Sequence, residues 1–226
     1  MEDIHVGLGS AIKKISNENY DQSLDFYRFW FEIAQTYSQN PPDQIFDAFY
    51  DNRGSDAIVT PHGKLIHPTA HLILRFASDA ESDHVLGPHS IGLQSRLYTR
   101  ILRAFFENNM TAVRCKERNQ YANAGYWFPI DANFIAHWAN LGYVEEAAIR
   151  NHILQSLISH PRMYDHQADA LIILFKLAGA TFAKYADPVV VDRCFELLKG
   201  YYHQGDARYG LVQVRTVLRD ERLPPG

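Results

Sequence analysis

The chain is short of cysteine. It has two, Cys115 and Cys194, in 226 residues and with no close spacing between them. The count allows one disulfide, but no stretch has the form that would send the chain to an oxidising compartment, so reduced and partly buried thiols are expected. The amino terminus, MEDIHVGLGSAIKKI, lacks a basic region followed by an apolar core. Long apolar runs are missing as well. The longest, ALIILFKLAGATFAKYA (170–186), is broken by Lys176 and Lys184 and falls short of a spanning helix. These absences together predict an intracellular chain, cytoplasmic or nuclear, with no membrane partner.

Positive charge is not in excess. Lys and Arg number 22 against 26 Asp and Glu, for a net charge of −4, so no global field collects phosphates and nucleic acid is disfavoured as a partner. The common catalytic signatures are also missing. There is no G-x-S-x-G elbow, no G-x-x-x-x-G-K-[ST] loop and no G-x-G-x-x-G turn. Asp83-His84 and Asp165-His166 stand in the reverse order to the His-Asp metal pair of HD phosphohydrolases. No motif calls for a cofactor or assigns a catalytic residue.

What is present is a helical pattern. Hydrophobic residues make up 46% and aromatics 13% of the chain, enough for a well-filled core. Leu24, Tyr27, Trp30 or Phe31, and Ala34 recur at three-to-four-residue spacing, which predicts a helix over 20–38 ended by Pro41 and Pro42. Asp43 is then placed to cap a short helix, DQIFDAFY. Around Pro61-His62-Gly63, the runs AIVT and KLIH read as a small β-hairpin near 57–67. Pro68 opens a helix with His67 as its cap, and a long helix follows over 90–108. Asp131 is expected to cap DANFIAHWANLG, and Gly142 to stop it. Asp187-Pro188 pairs a capping residue with proline at the first helical position, a strong helix start. A last helix is expected over DARYGLVQVRTVLRD.

The expectation is thus one all-α domain over 1–226. It divides into N-terminal helices (1–50), an irregular or hairpin connection (51–67) and a repeat-like helical body (68–226). Its architecture is either an irregular helical bundle or a short α-solenoid. The solenoid reading rests on one local signature, two apolar residues, two spacers and two apolar residues. It occurs as Ile101-Leu102 with Phe105-Phe106, as Ile153-Leu154 with Leu157-Ile158, and as Leu197-Leu198 with Tyr201-Tyr202. On this signature 130–218 resembles armadillo or HEAT repeats, which implies stacked helix pairs that hold another protein on a concave face. The Trp–Asn ladder of peptide-binding armadillo proteins has its nearest counterpart in Asn123 and Trp127. They are four apart, occur once and stand in the reverse order, so no nuclear-localisation-signal groove is implied.

Three stretches carry candidate sites. YANAGYWFPIDANFIAHW (121–138) concentrates rings at a Gly-Pro bend. Tyr126, Trp127 and Trp138 with Asn123 would offer a partner large contact area and backbone hydrogen bonds. Phe134, Ile135 and Trp138 equally form the core face of one helix. Arg96, Arg100 and Arg103 follow i, i+4, i+7 and share a face opposite Leu97, Ile101 and Phe105, with Arg114, Lys116 and Arg118 beyond them. Such a row suits an acidic peptide or a phosphate, and it also suits a solvated helix face. Finally, His62, His67, His71, His84 and His89 crowd into 61–89 with Asp79, Glu81 and Asp83. His67 and His71 have zinc-ligand spacing, but Pro68 stands where a zinc protease has its catalytic glutamate.

The function expected is non-catalytic: an interaction or scaffold domain that binds a protein or peptide on a helical surface. The alternatives are a metal-dependent helical hydrolase or metal-binding protein using His67, His71, His84 and His89, and RNA or phospho-ligand binding on the arginine face.

Overall fold

The structure, a computed structural model, is described for residues 9–10, 12, 15–16, 18–37, 41–53, 58–59, 65–66, 70–83, 92–118 and 124–203. It is all-α among these residues. The helices are α1 (Tyr20–Tyr37), α2 (Pro41–Asn52), α3 (Ala70–Ser82), α4 (Leu93–Glu117), α5 (Ala124–Asn140), α6, α7 (Asp165–Tyr185) and α8 (Pro188–His203). Helix α6 starts as Glu146–Ala148, widens into a π-turn at Ile149–Ile153 and closes as Leu154–Leu157. Extended pairing among the described residues is limited to Ile58 opposite Ile66 and Val59 opposite Leu65. The turn that would join these pairs lies outside the described residues, as do the expected cap at His67 and the helix expected after Asp206.

The chain divides into two compact units. The first takes residues 1–57 and 67–101, the second 58–66 and 102–226.

In the first unit Phe76 of α3 is the centre of the core. Tyr20 meets it edge-on at 5.8 Å, and Phe49 of α2 lies 5.8 Å away at a tilt. All three rings are buried because the apolar positions of α1, α2 and α3 recur at helical spacing. Polar groups rim this core. The Tyr20 hydroxyl donates to Asp79 at 2.6 Å, and the Arg28 guanidinium grips Asp83, whose side chain is 4% exposed. Glu81 accepts the backbone N–H of Gln94, one of the unpaired donors in the first turn of α4.

In the second unit α7 packs against α5, α6 and α8. Phe105 of α4 stacks on Phe128 of α5 at 4.4 Å, and Phe182 and Trp138 are fully buried. The π-turn keeps Ile149, Ile153, Leu154 and Leu157 all on the buried side of α6.

Several local expectations are corrected. Helix α2 begins at Pro41, not after Asp43, because a proline lacks only an N–H that the first helical turn leaves unpaired anyway. Helix α4 runs on to Glu117, past the expected end at 108. Asp131 is not a cap. Helix α5 starts seven residues earlier, at Ala124, and passes through Pro129, leaving Asp131 fully buried in mid-helix. Pro129, the sixth residue of the helix, has no N–H to offer the Gly125 carbonyl and so costs α5 one backbone bond. Its carbonyl accepts from the Asn133 side chain at 3.2 Å.

The expected stop at Gly142 is present. Gly142 has φ 76°, its N–H bonds the carbonyl of Ala139, and the Tyr143 N–H bonds that of Trp138. These are the two bonds of a Schellman cap. Asp187 caps α8 by accepting the Val189 N–H at 2.9 Å.

Candidate functional site

The sites expected from the sequence separate in the structure. Of the crowded histidines, His62, His67, His84 and His89 lie outside the described residues, while His71 is exposed on α3. Among the described residues no three His, Cys, Asp or Glu side chains are grouped to hold a metal ion.

The arginine row is already engaged. Arg96 lies over the ring of Phe46 at 4.6 Å, and Arg100 over that of Tyr50 at 5.3 Å. These rings stack on one face of α2, 6.0 Å apart, so the two guanidiniums cover aromatic faces within the first unit. Arg103, in the second unit, pairs with Glu107 one helical turn on, at 2.7 Å. Leu97, Ile101 and Phe105 are buried on the opposite face, as the periodicity requires.

The aromatic stretch divides between surface and core. Tyr126 is 39% exposed and meets half-buried Trp127 edge-on at 5.4 Å. Trp138 is 1% exposed and packs on Phe134. It is therefore core, because the Schellman cap ends α5 with Trp138 turned inward. Asn123 lies outside the described residues.

A feature not visible in the sequence is a polar seam through the second unit. Gln167, 0% exposed, accepts the Tyr164 N–H and donates to Asn109 Oδ1 at 3.0 Å. Asn109 in turn donates to the carbonyl of Ser156 at 2.8 Å. One relay thus joins the start of α7, the middle of α4 and the end of α6. Beside it, Asn108 donates to Asp131 at 3.0 Å.

His166 sits next to this relay, edge-on to Phe128 and parallel to Tyr164, with its Nε2 unbonded. Burial lowers its pKa to about 4, so the imidazole is neutral. Burial, with the charge of Asp165 second, raises the Asp169 carboxyl to about 7. Asp165 itself is held by the Tyr201 hydroxyl and, at 3.7 Å, by Lys116. At the centre of the seam Gln167 and Asn109 are buried, and the bond between them ties α7 to α4.

The two thiols are separate. Cys194 is fully buried, and burial pushes its thiol up to about 12, while half-buried Cys115 lies near the end of α4. No bond joins them.

An accessible apolar surface in the second unit was missed by sequence reasoning. Leu141 and Tyr143 flank Gly142 at 62% and 55% exposed. Asn140, just before them, donates to the carbonyl of Leu177 and accepts from the Thr181 hydroxyl, tying this corner to α7. Helix α7 breaks there, with Ala178 at φ −136° and ψ 26°, and Leu177 is itself exposed. A possible signal was the apolar pair around a helix-stopping glycine, where a solvated turn is normally polar.

Comparison with protein-family models, with curated proteins and with solved structures returns no match for this chain. No helix of the described residues is long and apolar enough to cross a membrane.

Proposed function

We propose that this protein is a non-catalytic interaction domain that binds another protein on a helical surface of its second unit. The observation that supports this is the corner formed by Leu141, Tyr143 and Leu177. Three large apolar side chains stand in solvent on backbone held by a Schellman cap and by the Asn140 clamp. A rigid apolar surface loses little conformational freedom when a partner covers it, which is the condition for a small contact to bind well. The exposed edge of Tyr126 with Trp127 supports the same reading at the other end of α5. The repeat-like stacking expected for 130–218 fits this role, since helix pairs that bury one face on the next leave the other for a partner.

The test is affinity capture with mass spectrometry, wild type against Leu141→Asp/Leu177→Asp. Proteins retained by the wild type should be lost from the variant while its melting temperature stays within a degree or so, because both side chains are exposed. If both proteins capture the same set, or the wild type retains nothing above a bead control, the reading fails.

A further inference from the structure

The basic run of α4 looks continuous in sequence, but its two halves have different partners. Arg96, Arg100 and Arg103 are committed to rings or to Glu107. Arg114 and Arg118 are not. Both are exposed, and the Arg118 N–H bonds the Arg114 carbonyl at 3.2 Å, so the helical register carries through and the side chains share one face. Among the described residues neither guanidinium meets a carboxylate or a ring.

The cations nearby are partly neutralised. Lys116 pairs with Asp165 at 3.7 Å, each side chain 55% exposed, and His160 reaches Glu117 at 4.0 Å. That second contact brings the segment after α6 to this helix end. The end of α4 thus carries Arg114, Lys116 and Arg118 with Glu117 and Asp165, in a chain whose net charge is −4.

We infer that the free Arg114–Arg118 face is a docking site for an acidic peptide segment of a partner protein. The chemistry is that of planar guanidinium forks, which take carboxylates with two parallel hydrogen bonds each. Spacing selects the occupant. Two forks one helical turn apart, about 6 Å, fit carboxylates on successive turns of a helix or on alternate residues of an extended chain. The interleaved acids Glu117 and Asp165 disfavour a polyphosphate backbone, which would meet them along its length, whereas a peptide can place neutral residues there. This rests on the interaction-domain reading above and names the chemistry of one partner.

The experiment is fluorescence anisotropy of a labelled glutamate-rich peptide titrated with the full chain. Wild type should bind, and Arg114→Ala/Arg118→Ala should weaken binding about tenfold or more at unchanged melting temperature. Raising salt from about 50 to about 200 mM should weaken wild-type binding by a similar factor, because the contacts are exposed and screened. Arg114→Lys/Arg118→Lys, which keeps the charge and loses the forks, should bind only partly, and this variant decides the matter if the alanine variant fails to fold.

Cys115, between Arg114 and Lys116, supplies a second readout. Bound peptide should slow its alkylation, while Cys194, fully buried, stays unreactive. Absence of binding, binding unaffected by either double variant, or tighter binding of a single-stranded RNA of equal charge would each overturn the inference. If the peptide does not bind but Leu141→Asp/Leu177→Asp still loses its captured proteins, only the acidic-segment assignment falls. If that capture also proves insensitive, the interaction-domain reading falls with it.

Discussion

The side-chain amide of Gln167 donates to the Asn109 carbonyl oxygen at 3.0 Å, with Gln167 0% and Asn109 2% exposed. The two residues are 58 apart in sequence and sit on different helices, α7 and α4. Each also bonds backbone elsewhere, Gln167 at Tyr164 and Asn109 at Ser156. Removing Asn109 therefore strands the buried Gln167 amide, while the Ser156 carbonyl keeps its bond from the Ser159 hydroxyl at 3.0 Å. Asn109→Ala should destabilise the second unit by about 2 kcal/mol, the cost of one unsatisfied buried group. Asn109→Leu/Gln167→Leu should cost less than the two single changes added together, since neither side chain then leaves the other unpaired. Urea unfolding of the four proteins measures this, and strict additivity would contradict the coupling.

His166 and Asp169 give stability opposite responses to acid. Burial holds the His166 pKa at about 4, below the ordinary histidine value of 6.5, with Asp165 raising it and Lys116 lowering it further. The folded chain then binds fewer protons than the unfolded one. The stabilisation by neutral His166 is complete above about 6.5 and is lost as pH falls toward about 4, roughly 3 kcal/mol in all. Asp169 is raised from 3.8 to about 7, so its contribution is present below about 3.8 and lost as pH rises through about 7. Replacing His166 with Phe keeps a ring between Phe128 and Tyr164 and removes the titration. The melting temperature of His166→Phe should pull ahead of wild type progressively from about pH 6.5 down to about 4. Asp169→Asn should pull ahead instead as pH rises from about 3.8 to about 7. Parallel melting curves across this range would show that neither group is held as described.

How far the sequence could be read follows from whether a feature is local. Asp187-Pro188 starts α8 and Gly142 stops α5 through bonds to residues within five positions, so both were visible in composition and spacing. Leu97, Ile101 and Phe105 were marked as a buried face by periodicity alone. Pro129 misled because a proline suggests a boundary, whereas packing of the Phe128 and Phe134 rings carries α5 through it. The arginine row misled for a different reason. Periodicity placed Arg96 and Arg100 on one face, but nothing local showed that Phe46 and Tyr50, fifty residues earlier, would lie beneath them. Burial of Gln167 and exposure of Leu141 both invert composition rules, and the first comes with a bond to Asn109, 58 residues away.

Gly142 stands in open space, with nothing within 4 Å of where a Cβ would be. Any cost of substitution is therefore backbone strain at φ 76°, not collision. Gly142→Ala should cost about 1 kcal/mol, and Gly142→Asn less, since asparagine tolerates the left-handed region. Thermal unfolding should rank the three as glycine, asparagine, alanine. The alanine variant should also weaken partner capture, because the cap holds Leu141 and Tyr143. An alanine variant as stable as wild type would mean that the turn can relax to another conformation and that the corner is not rigid.

Trp127 and Trp138 are eleven residues apart on α5 and should respond oppositely to truncation. Trp138 is 1% exposed and packs on Phe134, so Trp138→Ala removes a large buried ring and leaves a cavity, at about 4 kcal/mol. Trp127 is half-buried, and its ring meets Tyr126, itself exposed. Trp127→Ala should cost about 1 kcal/mol. Differential scanning fluorimetry on the two variants separates them by more than its error. If Trp127→Ala proves as costly as Trp138→Ala, the ring is packed as core and the Tyr126–Trp127 edge offers a partner nothing. In that case the Leu141–Tyr143–Leu177 corner alone would carry the binding surface.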